Sequence, residues 1–486
     1  MIFRCLLTDL EFQSFQGNPD LIDINIIQFD SRLIQEGDLF IAVRGSQSDG
    51  HDFINEAINK GSSAIVAETF PKDISPDVCC VSVEDSSIAL SIISSNFYNN
   101  PSSRIKLIGV TGTNGKTTVV TLLYNLFSKL GYKSGMLSTI ENKIGDISYE
   151  STHTTSDALY INKMLDRMIN DGCEYCFMEV SSHAIHQNRV FGLNFDVGLF
   201  TNITHEHLDY HKNFQDYIYV KKMFFDGLGS HACAITNKDD KNGVIMLANT
   251  NARHVTYGLK NISDYRCKIL ESRLDGMLLN IKNNEIWVKL IGDFNAYNLL
   301  AIYSVAVELG LDEEKLLNNI SLLESANGRF HTVRNERNIT GIIDYMHTPD
   351  AYKNVLTTIN KIRRKNQKLI IVFGCGGDRD SQKRPKMTHI ACNMSDQVII
   401  TSDNPRTEKI ENIVDDMIIR LDDIYKKKIL VITDRSQAIK TACAIAADGD
   451  IVLLAGKGHE KYQEIDGVKH YFDDLEELTK SLNIKF

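Results

Sequence analysis

Short apolar runs and amphipathic stretches alternate along almost the whole chain, as expected where strands and helices take turns. Over the first 100 residues, segments 38–43, 64–67 and 79–83 read as strands and 52–60 and 86–98 as helices, which predicts a small α/β domain. The stretch Asn99-Asn-Pro-Ser-Ser103 breaks the pattern as a linker does. The rhythm resumes with a strand ending at Thr111, helices over 119–130 and 159–170, and strands over 175–180 and 197–203, the signature of a parallel sheet. Between about 254 and 290 apolar and polar residues alternate, with turn signals at Asp275-Gly276 and Asn283-Asn284, so an antiparallel patch is expected, then a helix over 295–309. A further unit opens near Val333, with strands through Ile342 and over 368–373, 397–401, 429–432 and 451–455, and reads as Rossmann-like and doubly wound. The expected fold class is α/β in three domains: a small N-terminal domain (1–100), a central P-loop parallel-sheet domain (101–332) and the doubly wound C-terminal domain (333–486).

A net charge of −10 argues against a general nucleic-acid or anionic-membrane binder, so any recognition of phosphate must be local. No apolar run approaches a membrane span, and the first residues, Met1-Ile-Phe-Arg-Cys, meet a charge before a signal-peptide core can form; a cytoplasmic protein is expected. The ten cysteines lack regular spacing, which suits a reducing compartment. Cys173 and Cys176 form a Cys-x-x-Cys without a second pair at a matching distance, so buried thiols are the better reading than a redox or zinc site.

The most chemical segment is Leu107-Ile-Gly-Val-Thr-Gly-Thr-Asn-Gly-Lys-Thr-Thr118, an apolar strand running through a glycine turn into a helix. Gly112, Thr113, Asn114 and Gly115 let backbone amides converge on oxyanions. Lys116 supplies a point charge, the Thr117 hydroxyl is a candidate Mg²⁺ ligand, and Thr118 continues the cradle at the positive end of the helix. A strict Walker A motif would put glycine at Val110, so this is a compact Gly-x-x-Gly-Lys-Thr variant. Glu179 closes the strand Tyr-Cys-Phe-Met-Glu, at the sheet edge where such folds bind ligands; it can hold a metal or only a salt bridge. Thr201-Asn-Ile-Thr-His-Glu-His-Leu-Asp-Tyr-His211 gathers three histidines and two acids without zincin spacing. Gly374-Cys-Gly-Gly377 only faintly echoes a dinucleotide fingerprint, and an NAD site is not expected.

Taken together, the phosphate loop, Glu179-Val-Ser-Ser-His183, Asn202-Ile-Thr-x-x-His207-Leu-Asp209 and Asn295-x-x-Asn298 resemble the Mur ligase family, the ATP-dependent amino-acid ligases of peptidoglycan synthesis. Similarity extends through Asp30-Ser-Arg32, Gly37-Asp-Leu-Phe40, Asp344-Tyr-Met-His-Thr-Pro349, Gly374-Cys-Gly-Gly-Asp-Arg379, Asp403-Asn-Pro-Arg406 and Gly456-Lys-Gly-His-Glu460. The resemblance implies an ADP-forming ligation in which ATP phosphorylates a terminal carboxylate and an amino acid displaces the phosphate. Thr117 and Glu179 are expected on one Mg²⁺ and His207 on a second. A carbamate-bearing lysine is expected at Lys221, its neighbour Lys222 fitting a solvated helix face better. Asn295, Arg329 and Asp344 are implied in nucleotide binding, although Asn295 also reads as a helix N-cap and Arg329 as a linker charge.

The implied acceptor is UDP-N-acetylmuramoyl-L-alanyl-D-glutamate, held by Phe29, Ser31, Ser46, Gln47, Ser48, His153, Thr154, Thr155, Ser181, Gln187 and Arg189. The implied amino acid is meso-diaminopimelate. Arg406 offers a planar fork to a carboxylate and Arg379 a second cation, Pro405 stiffens the turn, and Asp403, Asn404, Gly456 and Glu460 take the ammonium and far end. Rival readings are L-lysine in the same ligation, a folylpolyglutamate-synthetase-like ligase, which would lack Asp403-Asn-Pro-Arg406, or a P-loop switch that hydrolyses ATP to move a partner. A monomer is expected, with neither nucleic acid nor membrane as partner.

Overall fold

A computed structural model describes residues 1–45, 48–75, 78–151, 153–206, 210–419 and 421–483. The chain divides into two compact units, Met1–Gly112 with Leu123–Asn202 and Gln215–Thr256, and Thr113–Leu122 with Ile203–Phe214 and Tyr257–Phe486.

The first unit opens with a five-stranded sheet in the order Ser14–Gln16, Cys79–Ser82, Ala64–Ala67, Leu39–Ile41, Ile27–Gln28, parallel except for its first strand. Alternate residues feed two cores, as the twofold period of a strand requires. Leu39, Ile41, Ala64, Val66 and Val81 meet Ala89, Leu90 and Ile93 of the helix Ser86–Phe97, while Phe40, Ala42, Ile65 and Ala67 meet Ile54 and Ala57 of the helix Ile54–Asn59. Asp85 caps the longer helix by accepting from the Ser87 and Ile88 amides. The helix expected over 52–60 begins instead with a 3-10 turn, Gly50–Phe53, capped by Asp49.

The same unit holds parallel strands in the spatial order Cys233–Asn237, Val197–Phe200, Lys106–Thr111, Tyr175–Glu179 and Ser134–Leu137, followed by the antiparallel Glu141–Ile144 and Ile147–Glu150. Register sets Glu179 beside Val110, so its carboxylate stands at the edge where the phosphate loop leaves the sheet. The strand expected over 197–203 stops at Phe200, because the Asn237 side-chain amide takes the Thr201 carbonyl. The helix Phe214–Asp226 is pinned by Phe224, whose ring meets Phe195 edge-on at 5.0 Å; this holds Lys221, one turn earlier, in the interior.

In the second unit, Tyr265–Arg273, Gly276–Ile281 and Asn284–Val288 form the antiparallel meander, ahead of the helix Asp293–Glu308. A six-stranded sheet follows in the order His331–Arg334, Thr340–Asp344, Ile451–Ala455, Leu369–Phe373, Gln397–Ile400, Ile429–Val431, and only the first strand is antiparallel. The helices Pro349–Ile362, Lys383–Met394 and Ile410–Ile418 bury one face, and Arg435–Ile445 with Asp474–Ser481 the other. The chain crosses from one face to the other after Ile429–Val431, on its return to Ile451–Ala455 inside the sheet, a doubly wound arrangement that opens a crevice at the carboxyl ends. Among the described residues no helix is long and apolar enough to cross a membrane.

Candidate active site

The turn between Lys106–Thr111 and the helix Lys116–Lys129 is built on a glycine that nothing else can replace: Gly112 has φ +149°, and a Cβ there would lie 2.0 Å from Thr201 Oγ1. Lys116 Nζ donates to the Thr113 carbonyl at 3.0 Å, which folds its chain back over the loop, and Thr113 Oγ1 accepts from the Thr204 amide at 3.0 Å. Thr117 is 5% exposed and its Oγ1 accepts from Arg329 Nη2 at 3.4 Å. Arg329 Cζ lies over the Tyr345 ring, 4.7 Å from its centroid, and its buried Nε has no partner. Asp344 accepts from the Phe330 amide at 2.7 Å; burial raises its pKa while Arg329 opposes the rise. Thr117 and Arg329, 212 positions apart, thus meet, and Asp344 lies close enough to Arg329 to feel its charge. Asn295 is not a cap, since Gly292 caps its helix; its amide instead donates to the Ile291 carbonyl at 2.9 Å and its Oδ1 accepts from Asn298 at 3.0 Å.

In the first unit Glu179 is 1% exposed. Its Oε1 accepts from the Thr139 amide at 2.8 Å, and its buried Oε2 has no partner. A buried, unpartnered carboxylate oxygen is costly in isolation and fits a cation, so the donor chemistry suits Mg²⁺ better than the salt-bridge alternative. Lys221 is also 1% exposed, with Nζ donating to the Gly112 carbonyl at 3.1 Å and to Thr111 Oγ1 at 3.4 Å; Lys222 pairs with Asp226 on the helix flank. Among the described residues no cluster of three or more His, Cys, Asp or Glu forms a metal cage. His207, expected on a metal, and Ser46 and Gln47, expected on the sugar nucleotide, lie outside the described residues.

Around Glu179 the expected acceptor-binding residues between His153 and Arg189 converge. Thr155 Oγ1 donates to the Glu179 carbonyl at 2.8 Å and accepts from the Ser181 amide, and Arg189 donates to the Thr155 carbonyl at 2.7 Å and to Gln187 Oε1 at 2.6 Å. Thr154 Oγ1 accepts from Thr139, and His153 lines the same small pocket as Thr154, Thr155 and Glu179. Phe29 and Ser31 follow the strand Ile27–Gln28, and Ser48 follows Leu39–Ile41, so they share the carboxyl edge of the five-stranded sheet. Asn188 ties that edge to the Gln187–Arg189 turn through Ser87 Oγ at 2.9 Å.

The carboxyl edge of the six-stranded sheet gathers the remaining residues. A Cβ built on Gly376 would lie 3.1 Å from Arg406 Nη1 and 3.8 Å from Arg379 Cγ, so both arginines flank one backbone position. Arg406 donates from Nη1 to the Gly377 carbonyl at 2.6 Å and from its amide to the Glu464 carbonyl, while Nε faces Glu464 Oε2 at 3.4 Å. Asn404 donates to Glu460 Oε2 at 2.7 Å, and the fully buried Lys457 ammonium reaches Asn404 Oδ1 at 3.1 Å and Glu460 Oε2 at 3.4 Å. Burial and then Asp403 raise the Glu460 pKa, with Lys457 pulling the other way. The Gly456 position faces the Asp403 carboxylate, and Pro405 joins Asn404 to Arg406. Lys457, Tyr345 and Arg384 were not singled out by sequence. The first two sit inside recognisable motifs whose end residues alone looked chemical, and Arg384 lies in an unremarked helix start. Cys173 and Cys176 are buried thiols whose pKa values burial pushes up, as expected of inert side chains.

Residues 23–104 match the model described as Mur ligase family, catalytic domain; 110–306 match the Mur ligase middle domain; and 328–458 match the Mur ligase, glutamate ligase domain. The chain is 51% identical over 486 residues to a UDP-N-acetylmuramoyl-L-alanyl-D-glutamate--2,6-diaminopimelate ligase of Cytophaga hutchinsonii, covering 99% of this chain and 100% of that protein. It is 48% identical to the protein of the same name from Bacteroides fragilis, covering all of both. A solved structure of such a ligase superposes with a TM-score of 0.71 at 31% identity, over 99% of each chain. A Thermotoga maritima MurF ligase in complex with ADP shares the fold, with a TM-score of 0.62 at 21% identity over 94% of this chain and 98% of its own. Since three Mur ligase models match in succession along it and relatives spanning its whole length share about half its residues, the chain belongs to the Mur ligase family.

Proposed function

We propose that this protein is an ATP-dependent ligase that adds meso-diaminopimelate to UDP-N-acetylmuramoyl-L-alanyl-D-glutamate in peptidoglycan precursor synthesis. The observation that carries the choice of amino acid is the pair Arg379 and Arg406 beside Gly376, two cations for a second carboxylate that lysine lacks. The names of the full-length relatives support it. Residues 1–100 hold the uridine nucleotide with Phe29, Ser31 and Ser46 to Ser48; residues 101–332 hold ATP and the reacting carboxylate; residues 333–486 hold the amino acid.

Catalysis is chiefly the management of charge. Lys116 and the amides of Gly112 to Thr118 hold the β- and γ-phosphates, Asn295 and Asp344 the adenosine, and Arg329 the phosphate side of Thr117. On this reading Thr117, Glu179, His207 and a carbamate on Lys221 would be the Mg²⁺ ligands, and the ion would supply neutralisation of phosphate charge. His153 to Thr155, Ser181, Gln187 and Arg189 present the terminal carboxylate. That carboxylate takes the γ-phosphoryl group, releasing ADP. The amine of diaminopimelate then attacks the acyl carbon, an amide C–N bond forms as the acyl C–O bond breaks, inorganic phosphate leaves with that electron pair, and the nitrogen gives up a proton. Asp403, Asn404 and Glu460 hold the ammonium at the far end of the amino acid, and Arg379 and Arg406 its carboxylate.

ADP release measured with the dipeptide nucleotide and a panel of amino acids tests the reading. Turnover that needs both the nucleotide and diaminopimelate is expected. Equal efficiency with lysine would overturn the specificity, and rapid ADP release without any amino acid would favour a hydrolytic switch.

A further inference from the structure

The two arginines of the amino-acid site stand on different turns, residues 374–379 and 403–408, and something must hold those turns in register. Each contains a non-glycine residue in the left-handed region, Asp378 at φ +53° and Arg406 at φ +53°. Such conformations are uphill for an L-residue and persist only when neighbouring contacts over-determine them. The turns are laced directly: Arg406 Nη1 donates to the Gly377 carbonyl, the Gly377 amide donates to the Asn404 carbonyl at 2.9 Å, and Thr407 Oγ1 donates to Asp378 Oδ1 at 2.8 Å. Beneath them lies one more side chain, Arg384, 1% exposed on the first turn of the helix Lys383–Met394. Its guanidinium grips Glu408 with both arms, at 2.8 and 2.9 Å, reaches Asp416 at 2.8 Å, and donates to the Gly376 carbonyl at 3.1 Å. Glu408 in turn accepts from the Asp378 amide. One buried cation therefore bonds the backbone of the first turn and the acidic side chain of the second.

We infer that Arg384 is a positioning residue for amino-acid selection: it touches no substrate, and it fixes the turns that carry Arg379 and Arg406 so that both guanidiniums face one carboxylate. The inference rests on the diaminopimelate reading above. The hydrogen bond from Arg384 holds the Glu408 carboxyl below the usual carboxylate range, which keeps both members of the pair charged. A lysine at this position keeps the charge but cannot span Glu408, Asp416 and Gly376 at once.

Steady-state kinetics of Arg384→Lys and Glu408→Gln, each checked for a cooperative melt, test this. Both are expected to raise the KM for diaminopimelate about tenfold or more, the scale of a lost charged hydrogen bond. The kcat and the KM values for ATP and the uridine nucleotide should stay near wild type, and the preference for diaminopimelate over lysine should narrow. Glu408→Gln keeps Arg384 and its Asp416 partner, so it reports even where the lysine variant fails to fold. An unchanged KM for diaminopimelate in either folded variant overturns the inference, as does a loss spread equally over kcat and all three substrates. A wild-type enzyme that ignores diaminopimelate overturns instead the functional reading beneath it.

Discussion

Lys116 and Lys221 are both lysines beside the glycine loop, and the proposed reading gives them opposite tasks. Lys116 sits at the helix start with its ammonium on the Thr113 carbonyl, where a cation serves phosphate and contributes little to packing. Lys116→Ala should therefore lose about 10²-fold or more in ligation. Its melting curve and circular dichroism should stay close to wild type; near-normal turnover, or an unfolded variant, would contradict the assignment. Lys221 is instead walled in, 1% exposed, where a bare ammonium would repel the proposed metal. On the proposed reading, carbamylation would turn that cation into an anionic ligand. Enzyme equilibrated with ¹³C-bicarbonate should show a carbamate resonance that disappears in Lys221→Arg and survives in Lys222→Ala. An active, Mg²⁺-loaded enzyme without the resonance would remove the idea.

At the scale of elements, the proposed selection of the amino acid lies at strand ends, and Arg406 is its clearest case. Arg406→Ala should raise the KM for diaminopimelate while leaving the KM for ATP unchanged. The wild type should prefer diaminopimelate to lysine by about 10⁴-fold, since a site built for a charged group pays heavily when that group is missing. A normal Arg406→Ala enzyme would exclude this turn from recognition. Much of this was legible beforehand because periodicity and glycine placement are local: the strands Ala64–Ala67 and Ile451–Ala455 begin and end where their apolar runs do, and the phosphate loop follows from its own residues. What was not legible depends on distance. The strands Glu141–Ile144 and Ile147–Glu150 carry mixed polar residues with no lasting alternation, and they are strands because Ser134–Leu137 offers an edge to the first and the first offers one to the second. Arg384 and Glu408 are 24 positions apart, and nothing in a Lys-Arg-Pro helix start announces a partner on another turn. Asn295 looked like a cap because caps favour asparagine; Gly292, at φ +96°, took that place.

For the molecule as a whole, acid should be destabilising through one buried imidazole in particular. Burial, then the charges of Arg329 and Lys457, hold His459 down from 6.5 to about 3. Above pH 6.5 neither the folded nor the unfolded chain binds that proton. As pH falls through 6.5 toward 3 the unfolded chain binds it and the folded one does not, so stability is lost across that window. Burial lowers His331 as well and acts in the same direction. Urea melts between pH 6.5 and 4.5 should show a shallower decline for His459→Gln than for the wild type, by up to about 1.4 kcal/mol per pH unit for one proton; parallel curves would place the acid sensitivity elsewhere. The close approach of the two amino-acid turns reaches further still. A Cβ on Gly377 would lie 1.9 Å from the Pro405 carbonyl oxygen, so the spacing of these turns is set by main chain against main chain. On the proposed reading, replacing Arg406 alone would remove the charge that selects the amino acid and leave a backbone still shaped around it, so a new selectivity calls for changing both turns together.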